Sequence, residues 1–407
     1  MYNLFNINYT IMHPIFKIFN KKLVTSNFIL IYFVIILCIQ FINCKSNLKS
    51  EKLKSKVEIS QINKTIIALQ LGANNPCEDK YFIKEITISN KTGYIMAIFD
   101  GHGGWILSQY ANLLFYPYFL EEYNSNKNIE KIEERRIINS LNKTFARIEE
   151  EFKLISFSKY FEGNKKYKNL GTCALVILII NNKLYTANLG DSKAILLTKD
   201  KTKKENHGTF GYKKITKVYN CRKKEEQKKL KEKWPYMDDI YKCKRKKVCY
   251  VKGRLQPTST LGDFYLKSPF YNFDTKKINN DKYINDKIEK YEGPFISSIP
   301  DIKIFNLTIN DKYLVIGSDG LWDYLNSKEI AKLTEELLDN REQNFNDNDN
   351  SDKIALGLMK EVIEKSSKKS GIDFLNILDM QLGKRLRRIH DDISIIICDF
   401  TKISENR

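Results

Sequence analysis

The chain has 407 residues, 42% of them hydrophobic, which is enough for one large domain or two ordinary ones around a buried core. Its eight cysteines are scattered with no CxxC pair, so a zinc knuckle is excluded, no disulfide framework is expected, and most cysteines read as core residues. The net charge of +19 is concentrated, with 20 Lys/Arg against 6 Asp/Glu between positions 201 and 256.

At the N-terminus, Lys17, Lys21 and Lys22 precede fifteen nearly unbroken apolar residues, 28–42. Counted back to Leu23, this run is long enough to cross a bilayer, and Cys44-Lys45-Ser46 offers small residues to a signal peptidase. Residues 1–46 therefore read as a signal peptide or a signal anchor. Either would direct the chain to the secretory pathway or endomembranes, with a plastid reached by that route as an alternative. The segment lacks the Arg-rich amphipathic character of a mitochondrial leader. Positions 47–64 read as a basic polar linker.

From Thr65 the pattern changes to short apolar runs. Strands are predicted over 66–71, 81–88 and 94–99, followed by helices over 106–123 and 129–154 on their apolar spacing. Strands over 173–180 and 183–188 flank Asn181-Asn182, a pair suited to a tight hairpin turn, and a third follows over 193–197. The basic run 201–256 reads as a solvated loop or as a surface that attracts an acidic partner. No nucleic-acid motif accompanies it, and no nucleic acid is expected. A strand from Tyr313, a helix over 327–339 capped by Ser327, a loose polar stretch over 344–352 and a strand over 393–400 complete the chain.

Carboxylates stand where these runs begin or end: Glu78-Asp79, Asp100, Asp319 and Asp391. Each alone reads as a turn residue more readily than as a ligand. Together they make an oxygen-ligand set of the kind Mg²⁺ or Mn²⁺ takes, and several carboxylates around two such ions suit phosphoryl hydrolysis. The run Asp100-Gly101-His102-Gly103-Gly104 adds a candidate proton donor among glycines that let the backbone approach a ligand.

The stretches CEDKYF, FDGHGG, GTCA, ANLGDSKA, LGDFYLK, SDGLWD and HDDISIII, in this order, resemble the metal-dependent protein phosphatases (PPM, protein phosphatase 2C-like) over residues 65–402. The resemblance implies an α+β fold, a central β-sandwich of two antiparallel sheets flanked by helices, with 201–256 in a Lys-rich flap region. It implies a serine/threonine protein phosphatase acting through a water activated by two metal ions, Mg²⁺ or Mn²⁺. Asp100 would bridge the ions and the Gly101 carbonyl would bind one of them. Asp319 and Asp391 would bind the other, with Glu78 and Asp79 acting directly or through water. Asp191 and Asp323 match positions for a third ion, and His102 matches the proposed general acid. The resemblance implies a phosphorylated protein as partner; the basic run 201–256 suits an acidic one, and the apolar residues 23–42 suit membrane association. The alternative is a pseudophosphatase, a regulatory binding module without turnover.

Three departures stand out. The family's substrate-binding Arg is Asn74 here, Asp391 is followed by Asp392 where Asn is commoner, and an expected Asp-His pair is Asn220-Cys221. The first two are usual in the pyruvate dehydrogenase phosphatase-type branch, which the chain resembles most; that branch would carry Arg at Ser259.

Overall fold

The structure is a computed structural model that describes residues 49, 51–125, 133–199, 210–244, 248–272, 281–339 and 349–403. The chain divides into Met1–Ser55 and Lys56–Arg407, and the fold below is that of the second unit. The predicted signal or anchor segment, 1–46, lies outside the described residues. Among those described, no helix is long and apolar enough to cross a membrane.

Two antiparallel sheets face each other. The first runs in the order β1 (Glu58–Ile62), β2 (Ile66–Leu71), β14 (Ile393–Asp399), β13 (Asp311–Gly317), β7 (Lys193–Thr198) and β8 (Gly211–Lys214). The second runs β12 (Asp301–Asn306), β6 (Lys183–Leu189), β5 (Gly171–Ile180), β4 (Lys91–His102) and β3 (Lys80–Ile88), with β11 (Leu261–Gly262) pairing β5. β4 shows why the sandwich closes. Met96 and Ile98 join Ile66, Leu175, Leu196, Ile316 and Ile396 between the sheets. The alternating Ile95, Ala97 and Phe99 point outward, beneath helices α1 (Ile106–Ser125) and α2 (Glu133–Phe161). Strands buried on both faces lose the polar alternation of a surface strand, hence the continuous apolar runs. Helix α5 (Asn350–Ser370) covers β2 and β14 on the other side. The expected α+β sandwich is what the chain forms.

Several boundaries differ from the reading above. Glu58–Ile62 is a strand paired with β2, so the polar stretch 47–64 is not linker throughout. Helix α4 (Ser327–Asp339) is capped by Asn326, whose Oδ1 accepts from the Lys328 and Glu329 amides while the Glu329 carboxylate accepts from the Asn326 amide. Ser327 instead accepts a hydrogen bond from Lys193. Of the stretch predicted as loose over 344–352, residues 350–352 belong to α5, and 344–348 lie outside the described residues.

The basic run is also folded where described. Helix α3 (Lys224–Lys233) and the hairpin β9 (Tyr241–Cys243)/β10 (Cys249–Val251) pack through Cys221, Leu230, Ile240 and Val251. Cys243 and Cys249 oppose each other across that hairpin and form a disulfide, contrary to the expectation of an unbridged chain. Many of its lysines are committed internally: Lys217 and Lys229 pair with Glu226, Lys231 with Asp238 and Lys252 with Asp239.

Candidate metal centre

Antiparallel pairing brings strand exits and entrances to the same end of both sheets. Asp79 immediately precedes β3, Asp100 lies near the end of β4 opposite Cys173, and Asp191 follows β6. Asp319 follows β13 and Asp391 precedes β14. Rigid ladders thus aim carboxylates from five strands into one space.

One carboxylate oxygen each from Asp100, Asp191 and Asp319 lie within 4.8 Å of one another. Burial, then the charge of Asp319, raises the Asp100 pKa well above the usual range, and burial with Asp391 and Asp191 does the same for Asp319. Such a set cannot ionise fully without a countercharge. Its all-oxygen chemistry fits a hard divalent cation, whose charge would hold the carboxylates ionised. The Asp191 carboxylate is itself fixed by the Asn220 amide at 2.5 Å and the Cys173 thiol at 3.2 Å.

The sequence reading set Asp191 and Asp323 apart for a third ion. The structure places Asp191 beside Asp100 and Asp319, where the left-handed turn at Gly190 (φ +87°) folds over Cys173 and presents Asp191 to the end of β13. Asp323 is half-exposed and meets Arg222 at 3.4 Å.

A second acidic group adjoins the first. Buried Asp79 accepts a hydrogen bond from Ser394 at 2.8 Å, and burial, Asp392 and Asp391 push its pKa well up. Burial also raises Asp391, to about 6, against the opposing charge of Arg387, with which it pairs. Glu78 is raised by burial and by Asp392. Gly101 is glycine for a steric reason: a Cβ there would run into the Glu78 carbonyl and the Ser108 hydroxyl.

Asn74 and Asp392, two of the departures, touch. Asp392 accepts from the backbone amides of Ala73 (2.5 Å), Asn74 (2.9 Å) and Glu78 (2.7 Å) and from the Asn74 side chain (2.9 Å). Burial pushes its pKa up, but these donors outweigh burial and leave it below the usual value. The third departure and Ser259 meet the Asp191 turn, Asn220 at the carboxylate and Ser259 through its hydroxyl, which accepts from the Gly190 amide at 3.0 Å.

His102 Nε2 lies 2.7 Å from Asp263 Oδ2, which also accepts from Thr260 at 2.8 Å. Burial lowers the His102 pKa, yet the Asp263 charge and hydrogen bond outweigh it and the net shift is upward. Gly171 makes room for this pair, since a Cβ would strike both side chains. Asp263 and Asp392 were missed as site residues; their signals were the Asp of LGDF and the doubled Asp before β14.

The family model described as Protein phosphatase 2C matches residues 70–371. "Probable protein phosphatase 2C 28" of Oryza sativa subsp. japonica is 27% identical over 329 residues, 80% of this chain and 75% of that protein. "Probable protein phosphatase 2C 64" of Arabidopsis thaliana is 26% identical over 333 residues, 81% of this chain and 75% of that protein. In fold, the serine-threonine phosphatase 2C from Toxoplasma gondii aligns with a TM-score of 0.54 at 12% identity, covering 84% of this chain and 98% of that one. A matched family model spanning most of the chain, over a sandwich whose strand ends converge on buried carboxylates, places the chain in the protein phosphatase 2C family, the metal-dependent serine/threonine protein phosphatases.

Proposed function

We propose that this phosphatase hydrolyses phosphoserine and phosphothreonine on acidic proteins, using two Mg²⁺ or Mn²⁺ ions and a proton from His102. The observation that carries the reading is the part-buried, mutually repelling set Asp100, Asp191 and Asp319. These residues would hold the ions, with Glu78, Asp79, Asp391 and the Gly101 carbonyl completing the set. Bound ions would lower the pKa of an attacking water and neutralise the phosphoryl oxygens. His102 would protonate the leaving serine or threonine oxygen, held in place by Asp263. Asn74 would meet the substrate as a neutral donor through the second N–H of its side-chain amide, the first being engaged by Asp392.

The Asn74–Asp392 contact supports affinity with the pyruvate dehydrogenase phosphatase-type branch, in which both residues are usual. The basic N-terminal run and apolar stretch, together with the Cys243–Cys249 disulfide, support an oxidising, secretory location.

The test uses the full chain with a phosphothreonine peptide and an aryl phosphate. Hydrolysis should require Mn²⁺ or Mg²⁺ and stop with EDTA. Asp100→Asn should lose turnover by orders of magnitude, because an amide offers one neutral oxygen where a carboxylate holds dications. Near wild-type rates in Asp100→Asn would overturn the assignment.

A further inference from the structure

We propose that the pocket beside the metal centre is a subsite for an acidic side chain flanking the phosphorylated residue, gripped by Lys166 and Lys384. The inference rests on the phosphatase reading above and names part of its substrate. The pocket has a volume of about 350 Å³, shares Glu78 with the metal centre and is lined by Gly103 and Gly104, which follow His102. A peptide whose phosphate reaches the carboxylates must therefore lay neighbouring residues along this wall.

The two lysines come from separate segments, the 3₁₀ turn Lys165–Asn169 and the loop that begins at Gly383. Both are exposed, and among the described residues neither has an ion-pair or hydrogen-bond partner. Three nearby cations are committed elsewhere. Lys165 and Lys168 lie over the Tyr160 ring at 4.2 and 5.7 Å, and Arg387 pairs with Asp391. Trp105, 40% exposed, and Tyr167 supply apolar wall for the aliphatic part of a glutamate. Glu78 is the one carboxylate in the lining, and it belongs to the metal centre, where bound cations would offset its charge. Asn74 brings no charge to this wall, so the two ammonium groups are its recognition element.

The experiment compares phosphothreonine peptides that differ at flanking positions, carrying Glu, Ala or Lys, with the full chain, Mn²⁺ and low ionic strength. The wild type should favour the best Glu peptide over Ala by about fivefold in kcat/KM, the scale of two exposed ion pairs. Lys166→Glu combined with Lys384→Glu should abolish that preference and turn it toward the Lys peptide. Equal rates on Glu and Ala peptides in the wild type, or a preference that survives the double substitution, would overturn the subsite. Anisotropy with labelled peptides is read in parallel. If no peptide turns over, the phosphatase reading fails, while a Glu preference in binding that the double substitution removes still upholds the subsite. Absence of that preference in binding overturns it.

Discussion

The side-chain amide of Asn74 donates to Asp392 Oδ2 at 2.9 Å, so two residues that depart from the family pattern are a bonded pair. Neither substitution is independent. An Arg at 74 would find a carboxylate beside it and be captured in a bidentate pair, whereas beside Asn it would be released toward substrate.

A double-mutant cycle tests this coupling. Asn74→Arg alone should change KM for an aryl phosphate little, while Asn74→Arg with Asp392→Asn should lower it severalfold. Asp392→Ala should cost about 3 kcal/mol of stability, since four donors lose a charged acceptor in a buried loop. Additive effects on KM would show that the pair does not govern substrate binding.

Asp263→Asn should leave the fold intact but weaken the hold on His102. We expect kcat for a phosphothreonine peptide to fall about 10- to 100-fold, and kcat for p-nitrophenyl phosphate to fall much less. Nitrophenolate leaves without a proton, whereas a threonine alkoxide needs one. An equal loss on both substrates would mean that Asp263 serves the structure alone. Gly171→Ala should resemble the variant kinetically and lose stability as well, because its methyl strikes both side chains.

Stability of the cation-free protein should fall as pH rises. Asp100, Asp319, Asp79 and Asp391 all have folded pKa values above their unfolded ones, Asp391 at about 6. Such a group gives up its stabilising contribution as pH climbs from the unfolded value near 4 through the folded value. Thermal melts in EDTA should therefore show Tm declining between about pH 4 and 7. The Tm gain from Mn²⁺ should be larger at pH 7.5 than at pH 5, where protons compete for the same oxygens. A gain independent of pH would refute the carboxylate origin of the site.

Reducing Cys243–Cys249, or replacing both with Ser, should loosen the β9–β10 hairpin by about 2 kcal/mol, the scale for so short a loop. Hydrogen exchange at Tyr241, Tyr250 and Val251 is the readout. Unchanged protection would show that α3 and the apolar residues beneath hold the hairpin unaided.

The sandwich was legible because its strands alternate or run apolar and end in Asp, Gly or Asn, and β2, α4 and the Asn181-Asn182 turn lie where predicted. The site was legible as a set of strand-end carboxylates. Its grouping was not. That Asp191 joins Asp100 and Asp319 depends on two sheets meeting across a gap, which no spacing along the chain records. The partners Asp263 and Asp392 are 161 and 318 residues from His102 and Asn74, beyond any local pattern. The disulfide escaped notice because six residues apart says nothing until the chain is known to double back.

One topological detail governs how the enzyme comes into being. β14 lies between β2 and β13 in the first sheet, although β2 is near the start of the domain and β14 near its end. Without β14 the two halves of that sheet have no ladder to share, and nothing holds the segment carrying Asp391 beside the end of β13. A growing chain on the ribosome therefore cannot complete this sheet until residues 393–399 emerge. A prematurely terminated product inherits the gap: it can carry Asp100, His102 and Asp319 and still lack the strand that joins the two halves of the sheet.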